Sequence, residues 1–87
     1  MMFEFDPAKS ASNKDKHGID FEEAQALWLD PLRIEVPAKP TDEPRFMVIG
    51  RIGERHWSAI CTLRGDRIRI ISVRRSREQE VEFYEGC

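Results

Sequence analysis

The first third of the chain carries the hydrophobic pattern of two short helices. Asp6-Pro7 is typical of a helix start, because aspartate caps free backbone N–H groups and proline is tolerated at the first helical position. Basic residues up to His17, followed by a glycine, predict where this helix ends. A second helix is predicted from Asp20, which forms a capping box with Glu23, to Asp30-Pro31, and its apolar residues recur on one face.

The rest of the chain is dominated by segments with the features of β-strands. Turns at Gly53 and Gly65 separate the last three segments, and connections this short require antiparallel neighbours. Ile70-Ile71 breaks the alternation and predicts either a bulge or a strand buried on both faces. A capping box over residues 76–79 predicts the start of a last helix. The predicted strands are Phe3–Phe5, Leu32–Val36, Arg45–Ile52, His56–Leu63 and Arg67–Arg74.

The predicted order of elements, β-α-α-β-β-β-β-α, indicates an α+β fold with a mainly antiparallel sheet. Two N-terminal helices and one C-terminal helix are expected to cover one face of the sheet and to leave the other face or one edge accessible. The polar, proline-rich segment Pro37–Pro44 is expected to be a mobile hairpin connection. The length of 87 residues and the lack of repeats predict a single domain over residues 1–87.

Charge is distributed unevenly along the chain, although the net charge is only −2. Residues 1–44 hold five basic and ten acidic residues, residues 45–77 hold nine arginines and two acids, and residues 78–87 hold four glutamates. Arginine makes planar, bidentate contacts with phosphate and stacks on bases, so the central segment predicts an anionic polymer as partner. A solvated sheet face neutralised by the acidic segments explains the same composition equally well.

The cysteine and hydropathy patterns bear on cellular location. Cys61 lies in an apolar run and Cys87 ends the sequence, so no disulfide framework is expected and a reducing cytoplasm suits the chain. No apolar run reaches a transmembrane length, and the N-terminal residues lack the features of a signal peptide. The two histidines are far apart and show no zinc-ligand spacing, so neither a metal nor a cofactor is expected.

The most informative segment runs from Arg67 to Arg77. Arg67 and Arg69 are two apart in a strand and therefore share a face. Arg74, Arg75 and Arg77 cluster where the strand meets the last helix, whose N-terminal N–H groups attract phosphate. We therefore predict a phosphate site there, although each arginine could instead pair with a nearby glutamate.

Five stretches, taken in order, carry a resemblance to a known family: Phe3–Lys9 (FEFDPAK), Asn13–Ala24 (NKDKHGIDFEEA), Asp30–Leu32 (DPL), Arg45–Gly50 (RFMVIG) and Arg67–Arg75 (RIRIISVRR). Their order resembles the BrnT family of type II toxins, and the resemblance covers nearly the whole chain. It implies a RelE-like fold and an endoribonuclease that blocks translation. It also implies a BrnA-type antitoxin with a ribbon-helix-helix domain, and the complex would contact operator DNA only through that antitoxin.

Candidate site residues follow from the resemblance and the arginine pattern together. The pair Lys16-His17, the arginines of the last matching stretch and the aromatic Tyr84 carry over by position. The candidate RNA-binding residues are Lys16, Arg64, Arg69 and Arg77. The candidate catalytic residues are Arg67, Arg74, Arg75, His17, Glu78 and Tyr84.

RNA cleavage by the ribose 2′-OH requires proton transfer in addition to charge neutralisation. His17, His56, Glu78 and Tyr84 could supply it. Each also has a structural explanation: a partner of the helix dipole for His17 and Glu78, an exposed turn residue for His56, and a core tyrosine for Tyr84. The sequence leaves the acid and the base unassigned. It also leaves open a non-catalytic basic module that grips nucleic acid or an acidic partner protein.

Overall fold

The computed structural model describes residues 2–38 and 43–86, which form a five-stranded sheet and three helices. Residues 39–42, inside the predicted Pro37–Pro44 loop, and the two terminal residues lie outside the described part. In chain order the elements are β1 (Met2–Glu4), α1 (Pro7–His17), the 3₁₀-helix η1 (Glu23–Leu29), β2 (Ile34–Pro37), β3 (Phe46–Ile52), β4 (Arg55–Arg64), β5 (Arg67–Arg75) and α2 (Glu78–Glu85).

The sheet has the order β1-β5-β4-β3-β2, so β1 and β2 are its edges. Only β1 and β5 run parallel, and the other three neighbouring pairs are antiparallel. The prediction of an α+β fold with a mainly antiparallel sheet is thus confirmed. Gly53 and Gly65 both have positive φ, which suits the two tight turns that connect β3, β4 and β5.

Local capping explains where the first helix begins and ends. The Asp6 carboxylate accepts a hydrogen bond from the backbone N–H of Ala8 at 2.9 Å. At the other end, Gly18 adopts a left-handed conformation with φ of 83°. Asp20 and Glu23 exchange reciprocal side-chain-to-backbone hydrogen bonds at 2.7 and 3.0 Å, as a capping box requires.

The second helix differs from the expected form, because it is a 3₁₀-helix. Phe21, Ala24 and Leu27 are all fully buried, and they are spaced by three residues. In 3₁₀ geometry, residues three apart lie directly above one another. Within η1 this geometry places Ala24 and Leu27 in one line against the sheet, and Phe21, in the turn just before η1, packs into the same core.

The main core lies between the sheet and the first two helices. On β4, Trp57, Ala59 and Cys61 point into it. On β5 the register shifts so that Ile71 is an extra residue, which confirms the predicted bulge. The bulge matters because it brings Ile68, Ile70 and Val73 to the same side of the sheet. The core cluster comprises Ile19, Phe21, Ala24, Leu27, Trp57, Ala59, Cys61, Ile68, Ile70 and Val73.

The last helix lies on the opposite face of the sheet, which corrects the expectation that all helices cover one face. Ser58 lies between two core-facing residues of β4 and so points away from the core, where its hydroxyl donates to Glu80 of α2 at 2.8 Å. The predicted cap was wrong too: Arg77 is the N-cap, and the Ser76 hydroxyl bonds to Ser58 instead. None of the helices in residues 2–38 and 43–86 is long and apolar enough to cross a membrane.

Candidate functional site

Three arginines lie together on the sheet face that points away from the main core. Arg64 on β4 pairs in register with Arg67 on β5, and Thr62 pairs with Arg69. Directly paired residues point to the same side of a sheet, so all three arginines share that face. We call Arg64, Arg67 and Arg69 the open-face arginines.

Two of the open-face arginines contact carboxylates from flanking segments. Arg69 donates to Glu4 of β1 at 2.9 Å, and both side chains are about a quarter exposed, at 29% and 24%. Arg64 lies 4.0 Å from Glu43, and this pair is more exposed. Arg67 is exposed at the start of β5. The face therefore offers positive charge in contact with solvent.

Arg74 occupies the same face but is enclosed by α2. Its guanidinium donates two hydrogen bonds to the Glu80 carboxylate, each of 2.8 Å. Glu80 also accepts from the Ser58 hydroxyl at 2.8 Å and from the Arg77 backbone N–H at 2.9 Å. These contacts lower the pKa of Glu80 to about 2, and the hydrogen bonds from Arg74 contribute most to this shift. Glu80 in turn raises the pKa of Arg74. Arg74 thus carries a fixed, neutralising partner.

Arg75 points to the other side of the sheet. Its guanidinium lies 5.7 Å from the ring centre of Trp57, a core residue. The expectation that Arg74, Arg75 and Arg77 converge on one phosphate pocket is therefore wrong, because successive residues of a strand alternate between faces. At the start of α2 the Glu80 carboxylate already accepts the N–H of the N-cap residue, Arg77.

Lys16 and His17 lie at the exposed end of α1. Asn13, one turn earlier, bonds both backbone groups of Val73, a residue of β5 that lies beyond the last β1–β5 pair, Glu4–Arg69. Since α1 follows β1, which runs parallel to β5, the helix advances along β5 toward Arg75. Glu4 pairs with Arg69 and Asn13 contacts Val73, so Lys16 and His17 lie beyond Asn13 on the side of the Arg75 end of β5.

Tyr84 and Glu78 are separated along α2. The Tyr84 hydroxyl donates to the Asp30 carboxylate at 2.6 Å, and burial together with this bond raises the pKa of Tyr84 to about 12. Asp30 also accepts from the backbone N–H groups of Arg51 and Leu32. Glu78 is exposed in the first turn of α2. The tyrosine hydroxyl is thus engaged in holding α2 to the end of η1.

His56 makes a contact that sequence reasoning missed. Its Nε2 lies 2.8 Å from Glu85 Oε2, and its ring packs edge-on against Tyr84 with centroids 5.2 Å apart. The residue is half-buried, whereas we expected an exposed turn residue. No sequence feature pairs His56 with a carboxylate 29 positions away. Within the described residues, no group of three or more His, Cys, Asp or Glu side chains could hold a metal ion.

Comparison with known proteins adds one finding. A family model described as "Ribonuclease toxin, BrnT, of type II toxin-antitoxin system" matches residues 5–80, which is most of the chain. A search of curated proteins gives no significant match.

Proposed function

Because the chain belongs to the BrnT family of ribonuclease toxins of type II toxin–antitoxin systems, we propose that it is an endoribonuclease that cleaves RNA without a metal ion. In this proposal residues 1–87 are one toxin domain with a RelE-like fold, which acts in the cytoplasm and inhibits translation. Its partner is a BrnA-like antitoxin with a ribbon-helix-helix domain, and operator DNA is contacted only through that antitoxin.

The observation that supports this function most is the group of open-face arginines, Arg64, Arg67 and Arg69. Neighbouring strands lie about 4.8 Å apart, so Arg64 and Arg67 can reach one phosphate or two successive ones. Exposed ion pairs such as Arg64–Glu43 contribute about 1 kcal/mol or less. A polyanion that presents several phosphates can therefore displace such carboxylates.

Proton transfer and charge neutralisation are assigned to the other end of β5. His17 and Arg75 are both exposed, and Lys16, next to His17 in the sequence, is assigned as a further phosphate ligand. An imidazole can exchange protons near neutral pH, and a guanidinium can stabilise a phosphorane-like transition state. An RNA strand that reaches from the open-face arginines to this end would pass over the edge of β5.

The other candidates take different roles in this proposal. Arg74 and Tyr84 are assigned to holding α2, since their polar groups already bind Glu80 and Asp30. Glu78, exposed on α2, is the second candidate for proton transfer. Arg77 contributes positive charge beside the start of the helix.

The test is RNA cleavage by the purified protein in excess chelator. We expect cleavage products from the wild type. Two variants should cleave RNA at least about tenfold more slowly: the double variant Arg67→Ala with Arg69→Ala, and the single variant His17→Ala. Arg55→Ala is the matched control, because Arg55 is an exposed arginine of the same sheet that pairs in register with core-side Ile52.

Two results would contradict the proposal. Unchanged cleavage by the double variant would remove the open-face arginines from the reaction. Intact RNA together with a salt-sensitive mobility shift would instead favour a non-catalytic binding module.

A further inference from the structure

Two exposed leucines stand at the corner where η1 meets β2. Leu29 is 83% exposed and Leu32 is 69% exposed, although each is a large apolar side chain. Leu29 separates two grooves of about 610 and 440 Å³. The first groove is walled by Phe3 and Trp28, and the second by Leu32, Pro31 and the ring of Tyr84.

This corner is held in a fixed conformation by Asp30. One carboxylate oxygen accepts the backbone N–H of Leu32 at 2.9 Å, and the other accepts Arg51 N–H at 2.8 Å and the Tyr84 hydroxyl at 2.6 Å. The carbonyl of Asp30 accepts the backbone N–H of Arg33 at 3.2 Å. Four donor groups, from the η1–β2 connection, β3 and α2, thus hold Asp30 in place and fix the positions of the leucines, which lowers the entropic cost of binding a partner.

Charge around the corner favours a polypeptide over RNA. Glu22 and Glu23 line the first groove, where Glu23 also pairs with Lys14 at 2.8 Å, and Asp30 and Arg51 both line the second groove. Residues 1–44, which supply η1, hold twice as many acids as bases. The acids of the first groove exceed its one paired lysine, so this groove disfavours a polyanion, whereas apolar side chains flanked by lysine or arginine fit both its shape and its charge.

We propose that the Leu29–Leu32 corner is the surface on which the antitoxin docks, through a segment with apolar and basic side chains. This inference rests on the proposed function for the nature of the partner. The second groove lies beside the β3–β4 turn, whereas Arg64 and Arg67 flank the turn at the other end of β4. β4 has 10 residues, so roughly 30 Å separates the second groove from that turn. The first groove reaches Phe3, which pairs with Ile68 and packs on the core side of the sheet, opposite to the face of the open-face arginines. The antitoxin is therefore anchored either far from these arginines or on the other side of the sheet.

The test uses Leu29→Asp combined with Leu32→Asp, with Leu63→Asp as matched control. Leu63 is 64% exposed but lies at the far end of β4. Each tagged toxin variant is co-expressed with the product of the gene adjacent to its own. Co-purification and titration calorimetry then measure binding, and thermal unfolding checks the fold. We expect affinity to fall by about 100-fold or more for the double variant and to remain unchanged for the control.

Four outcomes would overturn the inference. The first is that the double variant and the control bind equally well, and the second is that only Arg67→Ala combined with Arg69→Ala loses binding. The third is that the wild type does not bind the adjacent gene product. The fourth is that the double variant changes the toxin's own oligomeric state. The last would identify a second copy of the chain as the occupant.

RNA cleavage separates this inference from the proposed function. A double variant that still cuts RNA in chelator but escapes neutralisation supports both. If the wild type does not cut RNA and the double variant loses antitoxin binding, the docking surface is supported and the proposed enzyme activity is rejected.

Discussion

Replacement of Glu80 tests how α2 is held on the sheet. The carboxylate is 9% exposed and accepts hydrogen bonds from the Arg74 guanidinium, the Ser58 hydroxyl and the Arg77 backbone N–H. Glu80→Gln keeps the size of the side chain but removes its charge and turns one acceptor into an amide donor. That donor would face Arg74, which has no acceptor to offer. We therefore expect the variant to be less stable.

The size of the effect follows from the pKa of Glu80. Its contacts, chiefly the hydrogen bonds from Arg74, lower that pKa from an ordinary 4.5 to about 2. A difference of this size corresponds to about 3 kcal/mol. Arg74 is 24% exposed, and solvent screening reduces the expected loss to about 2 kcal/mol. For a chain of this length, a loss of that size lowers Tm by about 10 °C.

The pH dependence of this loss has a definite sign. A depressed carboxyl pKa stabilises the fold fully above the unfolded value of 4.5, and the contribution disappears as pH falls through the folded value of about 2. The difference in unfolding free energy between the wild type and Glu80→Gln should therefore be largest at neutral pH and shrink below 4.5. Urea unfolding followed by circular dichroism measures this difference across the pH range.

Glu82→Gln is the control, because Glu82 is an exposed glutamate of the same helix. If Glu80→Gln and Glu82→Gln are equally stable at neutral pH, the reasoning from the Arg74 contact is wrong. A large difference that does not change with pH would also refute it, since only titration of the carboxylate predicts that decline.

Three further replacements or reactions test other parts of the fold. Asn13→Ala removes a side chain that bonds both backbone groups of Val73, and it should cost about 3 kcal/mol in urea unfolding. Gly50→Ala would place a Cβ 3.1 Å from Leu27 Cδ2, so we expect a loss of about 1–3 kcal/mol by the same measurement. Burial raises the pKa of Cys61 to about 12, so iodoacetamide should label that thiol only after unfolding, as peptide mass mapping would detect.

The features predicted correctly from the sequence are those that neighbouring residues determine. Asp6 and Gly18 bound α1 because caps act on backbone groups within a few residues. The bulge at Ile70-Ile71 was visible because strand alternation has a strict period of two. The 3₁₀ form of η1 was not predicted, since the spacing of Phe21, Ala24 and Leu27 suits an amphipathic α-helix almost as well.

The features that the sequence did not predict depend on contacts between distant residues. The side of the sheet that α2 covers is fixed by Glu80 meeting Ser58, and no local pattern links a buried serine to that glutamate. His56 and Glu85 are a similar case. The separation of Arg74 from Arg75 could have been inferred, because alternation within a strand requires it.

The arginines of the open sheet face differ in how easily a phosphate can replace their carboxylate partners. Arg74 is bonded to Glu80 through two 2.8 Å contacts, and Glu80 is almost completely buried. Arg69 has one such contact with Glu4, and both side chains are more exposed. Arg64 lies 4.0 Å from its partner, and its side chain is 53% exposed.

Ion pairs weaken with exposure, whereas breaking a buried pair leaves an uncompensated charge. Binding of phosphate should therefore be easiest beside the β4–β5 turn and hardest beneath α2. The acidic segments therefore do not neutralise all arginines of the open sheet face to the same extent. They hold Arg74 in place and leave Arg64 available to bind phosphate. Added salt should accordingly weaken RNA binding through the turn-side arginines. Salt should leave the contribution of the Arg74–Glu80 pair to the free energy of unfolding nearly unchanged, because screening acts mainly on exposed charges.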